Sequence, residues 1–204
     1  MAIIIALGGG SGSGKTFLAN HLATTFGAEA SLLSNDSYYL DQSRLSVGER
    51  KLVNYDDPSS IDEALFCQHL KDFSEGRSIE VPLFDFATHT RKKGTHTLSP
   101  TPLLFVEGIM VLSLPELQKF FDLTVYVDAE DDLRLARRIS RDITERGRET
   151  ADIIRQYLTF VRPAFKRFIA PTKTKADMVF VNNDNNGFDE TEYRRLVEKI
   201  RSLK

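Results

Sequence analysis

Little in this 204-residue chain is extreme, and its absences exclude several classes of protein. It has one cysteine, Cys67, so no internal disulfide framework can form. No uncharged apolar run approaches the ~20 residues of a membrane span. The 27 Lys and Arg nearly balance the 29 Asp and Glu, for a net charge of −2. Such a surface has no excess of positive charge to draw nucleic acid or an anionic membrane. The apolar run near the N-terminus spans only about five residues and lacks a basic flank, so it does not read as a signal peptide. Repeats and low-complexity linkers are absent. These absences predict a soluble, reduced, cytoplasmic protein with no nucleic-acid or membrane partner. Whether it forms a homo-oligomer stays open.

What is present starts with Gly9-Gly10-Ser11-Gly12-Ser13-Gly14-Lys15-Thr16, which fits the Walker A pattern G-x-x-x-x-G-K-T. It follows the apolar run Ile3–Leu7 and precedes a helical pattern ending at Phe26 and Gly27. That strand–loop–helix setting is the context the motif requires. Its glycines let backbone N–H groups point inward at a polyphosphate, and the helix adds its N-terminal partial positive charge. Lys15 would neutralise the outer phosphates and Thr16 would offer its hydroxyl to Mg²⁺.

Further along, Glu29–Leu33, Leu103–Val106, Leu123–Asp128 and Asp177–Val181 read as buried strands. Pro58 is expected to open a helix that stops near Gly76, and Pro115–Phe121 reads as a short helix. Residues 131 to about 146 and Ala151–Phe168 read as helices, the second kinked near Pro163, and Asp189–Leu203 as a closing amphipathic helix. Leu40–Asp57 loses its period and reads as a long loop with at most a helical turn. Ser78–Phe86 alternates and returns through His96–Leu98 as a hairpin, with Arg91–Thr95 as its basic turn. Strands alternating with helices predict a three-layer α/β P-loop fold. Its sheet is mostly parallel, with helices on both faces and right-handed crossovers. One domain over residues 1–204 is expected, with the hairpin at 78–98 inserted and an arginine-rich lid at 134–150.

In such sheets ligands sit at the carboxyl ends of strands, which directs attention to Asp36, Glu107 and Asp128. Glu107 follows four apolar residues, as a Walker B carboxylate does, although a strand-end acid can also cap a helix. Asp36 could deprotonate a substrate hydroxyl, or could serve as a turn residue. Asp128 reads as a cap for the following helix. Arg134, Arg138 and Arg141 fall on one helical stripe that runs into Glu145-Arg146-Gly147-Arg148. The stripe reads as a lid closing over phosphates, or as a solvated face paired with Asp132, Asp142 and Glu145. Phe84–Arg91 joins aromatics, an acid and His89, and reads as the wall of an acceptor pocket or as an ordinary hairpin. His69 and Cys67 read as structural. Asn182-Asn183-Asp184 reads as a polar turn, not as a guanine-reading element.

Taken together, these blocks resemble the uridine/cytidine kinases, within the wider phosphoribulokinase-like P-loop kinases. The resemblance rests on the phosphate loop, Ser34–Tyr39, Asn54–Pro58, Asp85–Arg91, Glu107–Ile109, Arg137–Arg148 and Gln156–Pro163. It implies ATP or GTP as donor, Mg²⁺, and a small-molecule nucleoside phosphorylated on its 5′-hydroxyl. Asp36 then corresponds to the general base, and Thr16 and Glu107 to the metal partners. Lys15, Arg141 and Arg146 face the phosphates. Asp56 and Arg138 match positions that hold the ribose hydroxyls. Tyr39, Tyr55, Phe84, Phe86, His89, Arg148 and Gln156 fall in or beside the acceptor pocket. The chain departs from the family at Phe84, where a tyrosine is usual. That leaves the choice between uridine and cytidine open, along with a related kinase acting on another small hydroxyl acceptor and a regulatory ATPase.

Overall fold

The structure is a computed structural model that describes residues 2–50, 52–184 and 187–203. Strand β1 (Ile3–Gly8) is an unbroken apolar run and lies at the centre of a five-stranded sheet. With β2 (Ala30–Ser34), β5 (Leu103–Glu107), β6 (Leu123–Asp128) and β7 (Met178–Val181), the strand order is β2-β5-β1-β6-β7, all pairs parallel. Alternate residues of β1 feed two cores. Ile4 and Ala6 join Tyr38, Phe66, Leu104 and Val106 on one face. Ile5 and Leu7 join Leu18, Leu22, Phe105, Phe180 and Leu196 on the other. A strand buried on both sides is what an apolar run without alternation dictates.

The second face is covered by helices α1 (Lys15–Phe26) and α7 (Glu190–Arg201), whose Leu18, Leu22, Leu196 and Ile200 point inward. Gly27 ends α1 with φ at 56°, and the Asp189 carboxylate caps α7 by accepting from the N–H groups of Thr191 and Glu192. The register places Leu7 beside Glu107 and Ser34 beside Glu107 as well. Three strands therefore end at one level, where the chain crosses from one side of β1 to the other. That crossing is where ligands bind in open α/β sheets.

Several local expectations are corrected. Pro58 opens only a 3-10 turn (Pro58–Ser60), capped by the Asp57 carboxylate. The chain then extends at Ile61, which pairs with Tyr39, and helix α3 (Glu63–Ser74) starts anew with Asp62 as its cap. The loop before it carries one helical turn, α2 (Val47–Arg50). The hairpin of β3 (Ile79–Asp85) and β4 (Thr90–Leu98) turns at Phe86–His89, so Arg91–Thr95 lies inside a strand. The cause is local. The Asp85 carboxylate accepts from the N–H groups of Ala87 (2.9 Å) and Thr88 (3.4 Å), and His89 takes φ of 55°. Pro115–Phe120 is a 3-10 segment.

Helix α4 (Asp131–Thr144) is followed by α5 (Thr150–Gln156), a π turn (Tyr157–Val161), the short α6 (Arg162–Ala164) and a second π turn (Phe165–Ile169). Pro163, with no N–H to give, follows the first widened turn, which accommodates it without ending the helix. The turn-rich loop expected at Asn182–Gly187 is described except at residues 185 and 186, which lie outside the described residues. Among the described residues no helix is long and apolar enough to cross a membrane.

Candidate active site

The phosphate loop joins β1 to α1, and its glycines are sterically required. A Cβ on Gly12 would stand 2.2 Å from the Arg134 carbonyl oxygen, at φ of 81°. One on Gly14 would stand 2.2 Å from Asn182 Nδ2, at φ of 89°. Two side chains brace this loop from outside. Asn182, buried just after β7, donates from Nδ2 to the Ser13 carbonyl at 2.8 Å. The Arg134 guanidinium lies over the Phe165 ring, 3.9 Å from its centroid, and donates to the Ala129 carbonyl and the Asp131 carboxylate. Asn182, expected in a polar turn, thus braces the loop, and Arg134 packs against the loop from α4. Asp128 is corrected too. Its carboxylate pairs with Lys173 at 2.7 Å, and the cap residue of α4 is Glu130.

Lys15 follows the loop and is buried, with Nζ 3.5 Å from the Gly10 carbonyl. Burial pulls its pKa down, and the nearby Glu107 and Asp36 charges partly restore it. Glu107, at the end of β5, is 4% exposed, and both its oxygens are engaged. Oε2 accepts from the Thr16 hydroxyl at 2.8 Å and Oε1 from the Ser34 hydroxyl at 2.6 Å. Ser34 caps the 3-10 turn Asn35–Tyr38 by accepting from the Asp36 N–H at 3.2 Å. Asp36 is therefore not the capping residue of that turn. Its carboxyl pKa is pushed up to about 6, first by burial and then by Glu107, with Lys15, Arg146 and Arg141 pulling it back. A carboxylate in this range can exchange a proton near neutrality.

The other half of the cleft is aromatic and basic. The Tyr55 ring stacks on His89, with centroids 4.5 Å apart, and meets Tyr39 edge-on. Tyr39 also contacts Phe84, which packs edge-on against Phe86. The Arg146 guanidinium lies 4.9 Å from the centre of the Phe86 ring. Burial, then Arg148 and Arg146, lowers the His89 pKa to about 4, so its ring is neutral near pH 7. Arg148 Nη2 stands 3.4 Å from His89 Nε2. Arginine can only donate, so Nε2 accepts and the ring proton sits on Nδ1. Gln156 Oε1 accepts from both Arg138 (2.9 Å) and Arg148 (3.0 Å), and Arg138 also donates to Ser11 Oγ at 2.8 Å. Asp56 is buried, and burial raises its pKa against the pull of Arg138. Two buried polar atoms here, Tyr55 Oη and Arg138 Nε, have no hydrogen-bond partner among the described residues. A polar ligand would satisfy them.

One cleft is lined by Ser11, Lys15, Thr16, Asp36, Tyr39, Tyr55, Asp56, Phe84, Phe86, His89, Glu107, Arg138, Arg141, Arg146, Arg148 and Gln156. Gly9, Gly10, Gly12, Ser13 and Gly14 form the adjoining loop and do not themselves line it. Arg91 turns away to the Tyr39 carbonyl and Asp62. Sequence reasoning placed Ser34 and Ile109 in motif blocks without giving either a role, and it treated Asp142 as one of several surface acids. Asp142 is fully buried with four arginines around it, whereas Asp132 and Glu145 are exposed. Its spacing of four residues from both Arg138 and Arg146 was the available signal.

Comparison with known proteins bears on what this cleft does. The family model described as "Phosphoribulokinase / Uridine kinase family" matches residues 4–187. The uridine kinase of Clostridium novyi (strain NT) is 42% identical over 185 residues, covering 90% of this chain and 89% of that protein. The uridine kinase of Macrococcus caseolyticus (strain JCSC5402) is 43% identical over 184 residues, covering 90% and 89%. Among solved structures, phosphoribulokinase from Rhodobacter spheroides superimposes with a TM-score of 0.65 at 17% identity, over 88% of this chain and 70% of that one. That last likeness speaks for the α/β P-loop kinase fold alone.

Proposed function

The chain belongs to the phosphoribulokinase/uridine kinase family, and from that membership together with the cleft we infer that it is a uridine/cytidine kinase. It transfers the γ-phosphate of a nucleoside triphosphate, ATP in this reading, to the 5′-hydroxyl of uridine or cytidine. The products are the nucleoside monophosphate and the diphosphate. The bond from the γ-phosphorus to the β-bridging oxygen breaks, the bond to the 5′-oxygen forms, and the hydroxyl proton goes to Asp36.

The observation that carries this reading is the presence of Asp36 and Lys15 in one cleft with two buried acids, Asp56 and Glu107. The loop fits a polyphosphate because its glycines pass against Arg134 and Asn182 where a side chain could not, and the buried Lys15 stands at the start of the helix that follows. Arg141 and Arg146 line the same cleft and supply positive charge to it. Thr16 and Glu107 present hard oxygen donors suited to Mg²⁺, which when bound neutralises charge on the phosphates. Asp56 and Arg138 offer an acceptor and a donor for the two ribose hydroxyls. The ring pair Tyr55–His89, with Phe84 and Phe86, provides flat walls for a pyrimidine. His89, neutral and hydrogen-bonding, faces its edge together with Arg148 and Gln156.

The test is diphosphate formation from ATP with and without each nucleoside. Formation that depends on uridine or cytidine is expected. Asp36→Ala should lower kcat by ~10²-fold or more, the size of a lost general base, with nucleotide binding near normal. Diphosphate release that ignores the nucleoside would overturn the reading.

A further inference from the structure

Four arginines of the cleft region share one buried counter-charge. Asp142, in the last turn of α4, has no solvent exposure. Its Oδ1 accepts from Arg141 Nε (3.0 Å) and Nη2 (2.8 Å) and lies 3.5 Å from Arg146 Nη1. Its Oδ2 lies 3.4 Å from Arg148 Nη1 and 3.8 Å from Arg138 Nη2. Two of these arginines stand on α4 and two come after it, in the turn around Gly147. The Asp142 carbonyl adds a backbone bond, accepting from the Arg148 N–H at 3.1 Å. One residue thus folds the basic turn back against the helix.

Asp56 and Asp36 also act on Arg138 and Arg146, but Asp142 lies within 4 Å of all four arginines. Four guanidiniums gathered within reach of one another repel; Arg138 is buried and the other three are partly sheltered, so water screens them incompletely. Asp142 lets them crowd together and sets where each points. Arg138 and Arg148 also reach Gln156 on the acceptor side, while Arg141 and Arg146 line the side facing Lys15 and Asp36. Asp142 itself does not line the cleft.

We propose that Asp142 is a positioning residue. It preorganises the arginines of both half-sites, and by competing for them it keeps the cleft from trapping free anions. Preorganised charge stabilises a transition state because no reorganisation is left to do when the reaction occurs. The same carboxylate weakens the arginines' hold on any phosphate that arrives alone. Its removal therefore has two opposite effects: turnover falls and the affinity for a bare polyanion rises. A residue that merely held the fold together would not produce the second effect.

The inference rests on the kinase reading for its turnover arm only; anion binding needs no activity. The experiment compares wild type with Asp142→Asn, whose side chain has the same size and no charge. Steady-state kinetics with uridine and ATP are run beside calorimetric titration of each protein with inorganic pyrophosphate. Expected are a kcat reduced ~10-fold or more, a raised KM for uridine, and pyrophosphate binding tightened ~3-fold or more. Circular dichroism and the melting temperature confirm that the variant is folded. Unchanged or weaker pyrophosphate binding in a folded variant overturns the proposal, as does a kcat within about twofold of wild type. If Asp142→Asn does not fold, Asp142→Glu keeps the charge and displaces it by one methylene. That variant should bind pyrophosphate like wild type yet lose kcat ~5-fold, and an unchanged kcat would refute the positioning role. Absence of nucleoside-dependent turnover in wild type would instead count against the kinase assignment and leave the anion arm to judge Asp142.

Discussion

The displaced titration of Asp36 gives a pH profile that can be worked out in advance. With its pKa at about 6, the carboxylate is roughly 90% ionised at pH 7 and roughly 10% at pH 5. The ionised form takes the proton, so kcat/KM should fall about tenfold between those two values and continue falling tenfold per unit below. A carboxylate at the ordinary 3.8 would lose only a few per cent over the same interval. The assay is conversion of labelled uridine with both substrates well below saturation, which makes the profile report the free enzyme. Glu107→Gln removes the neighbouring negative charge that helps raise Asp36, so whatever activity remains should show its acid limb at lower pH. Stability moves with the opposite sign. A carboxylic acid whose folded value stands above its unfolded one contributes most to stability below 3.8, and that contribution is lost as pH rises to about 6. Asp36→Asn should thus raise the melting temperature by ~6 °C near pH 7.5 and leave it unchanged near pH 3.5, while nearly abolishing turnover. A wild-type profile flat from pH 7 to 5, or an Asn variant no more stable at neutral pH than the parent, would refute the electrostatic argument.

Two further outcomes follow from other parts of the cleft. Asp56→Asn takes a charged acceptor from the sugar side, so the preference for uridine over 2′-deoxyuridine, measured as a ratio of kcat/KM values, should shrink ~10-fold or more; an unaltered ratio would remove Asp56 from sugar recognition. Gly12→Ala forces a Cβ to within 2.2 Å of the Arg134 carbonyl at φ of 81°, and it should cost ~2 kcal/mol or more in urea unfolding together with most of the nucleotide affinity.

Much of this molecule can be read without coordinates, because its strongest signals are local. Apolar runs such as Ile3–Leu7 and Leu103–Val106 have no other use than central strands, and the glycine spacing of the phosphate loop permits few alternatives. The cleft residues could be grouped from the ends of those runs, since a parallel sheet brings strand ends to one edge. What stayed hidden depends on contacts between distant segments. Nothing near Ile61 announces that it will pair with Tyr39 and stop a helix from starting at Pro58. Arg134 and Arg138 look alike along the chain, yet the Phe165 ring holds one behind the loop while Ser11 and Gln156 draw the other into the cleft. The hairpin turn was misplaced because Arg91–Gly94 has turn composition, whereas the Asp85 carboxylate closes the turn earlier.

The bond from Asn182 to the Ser13 carbonyl spans 169 positions of sequence. The glycine-rich turn therefore takes its final shape only when β7 is docked, and damage at that far edge of the sheet reaches the loop beside the central strand.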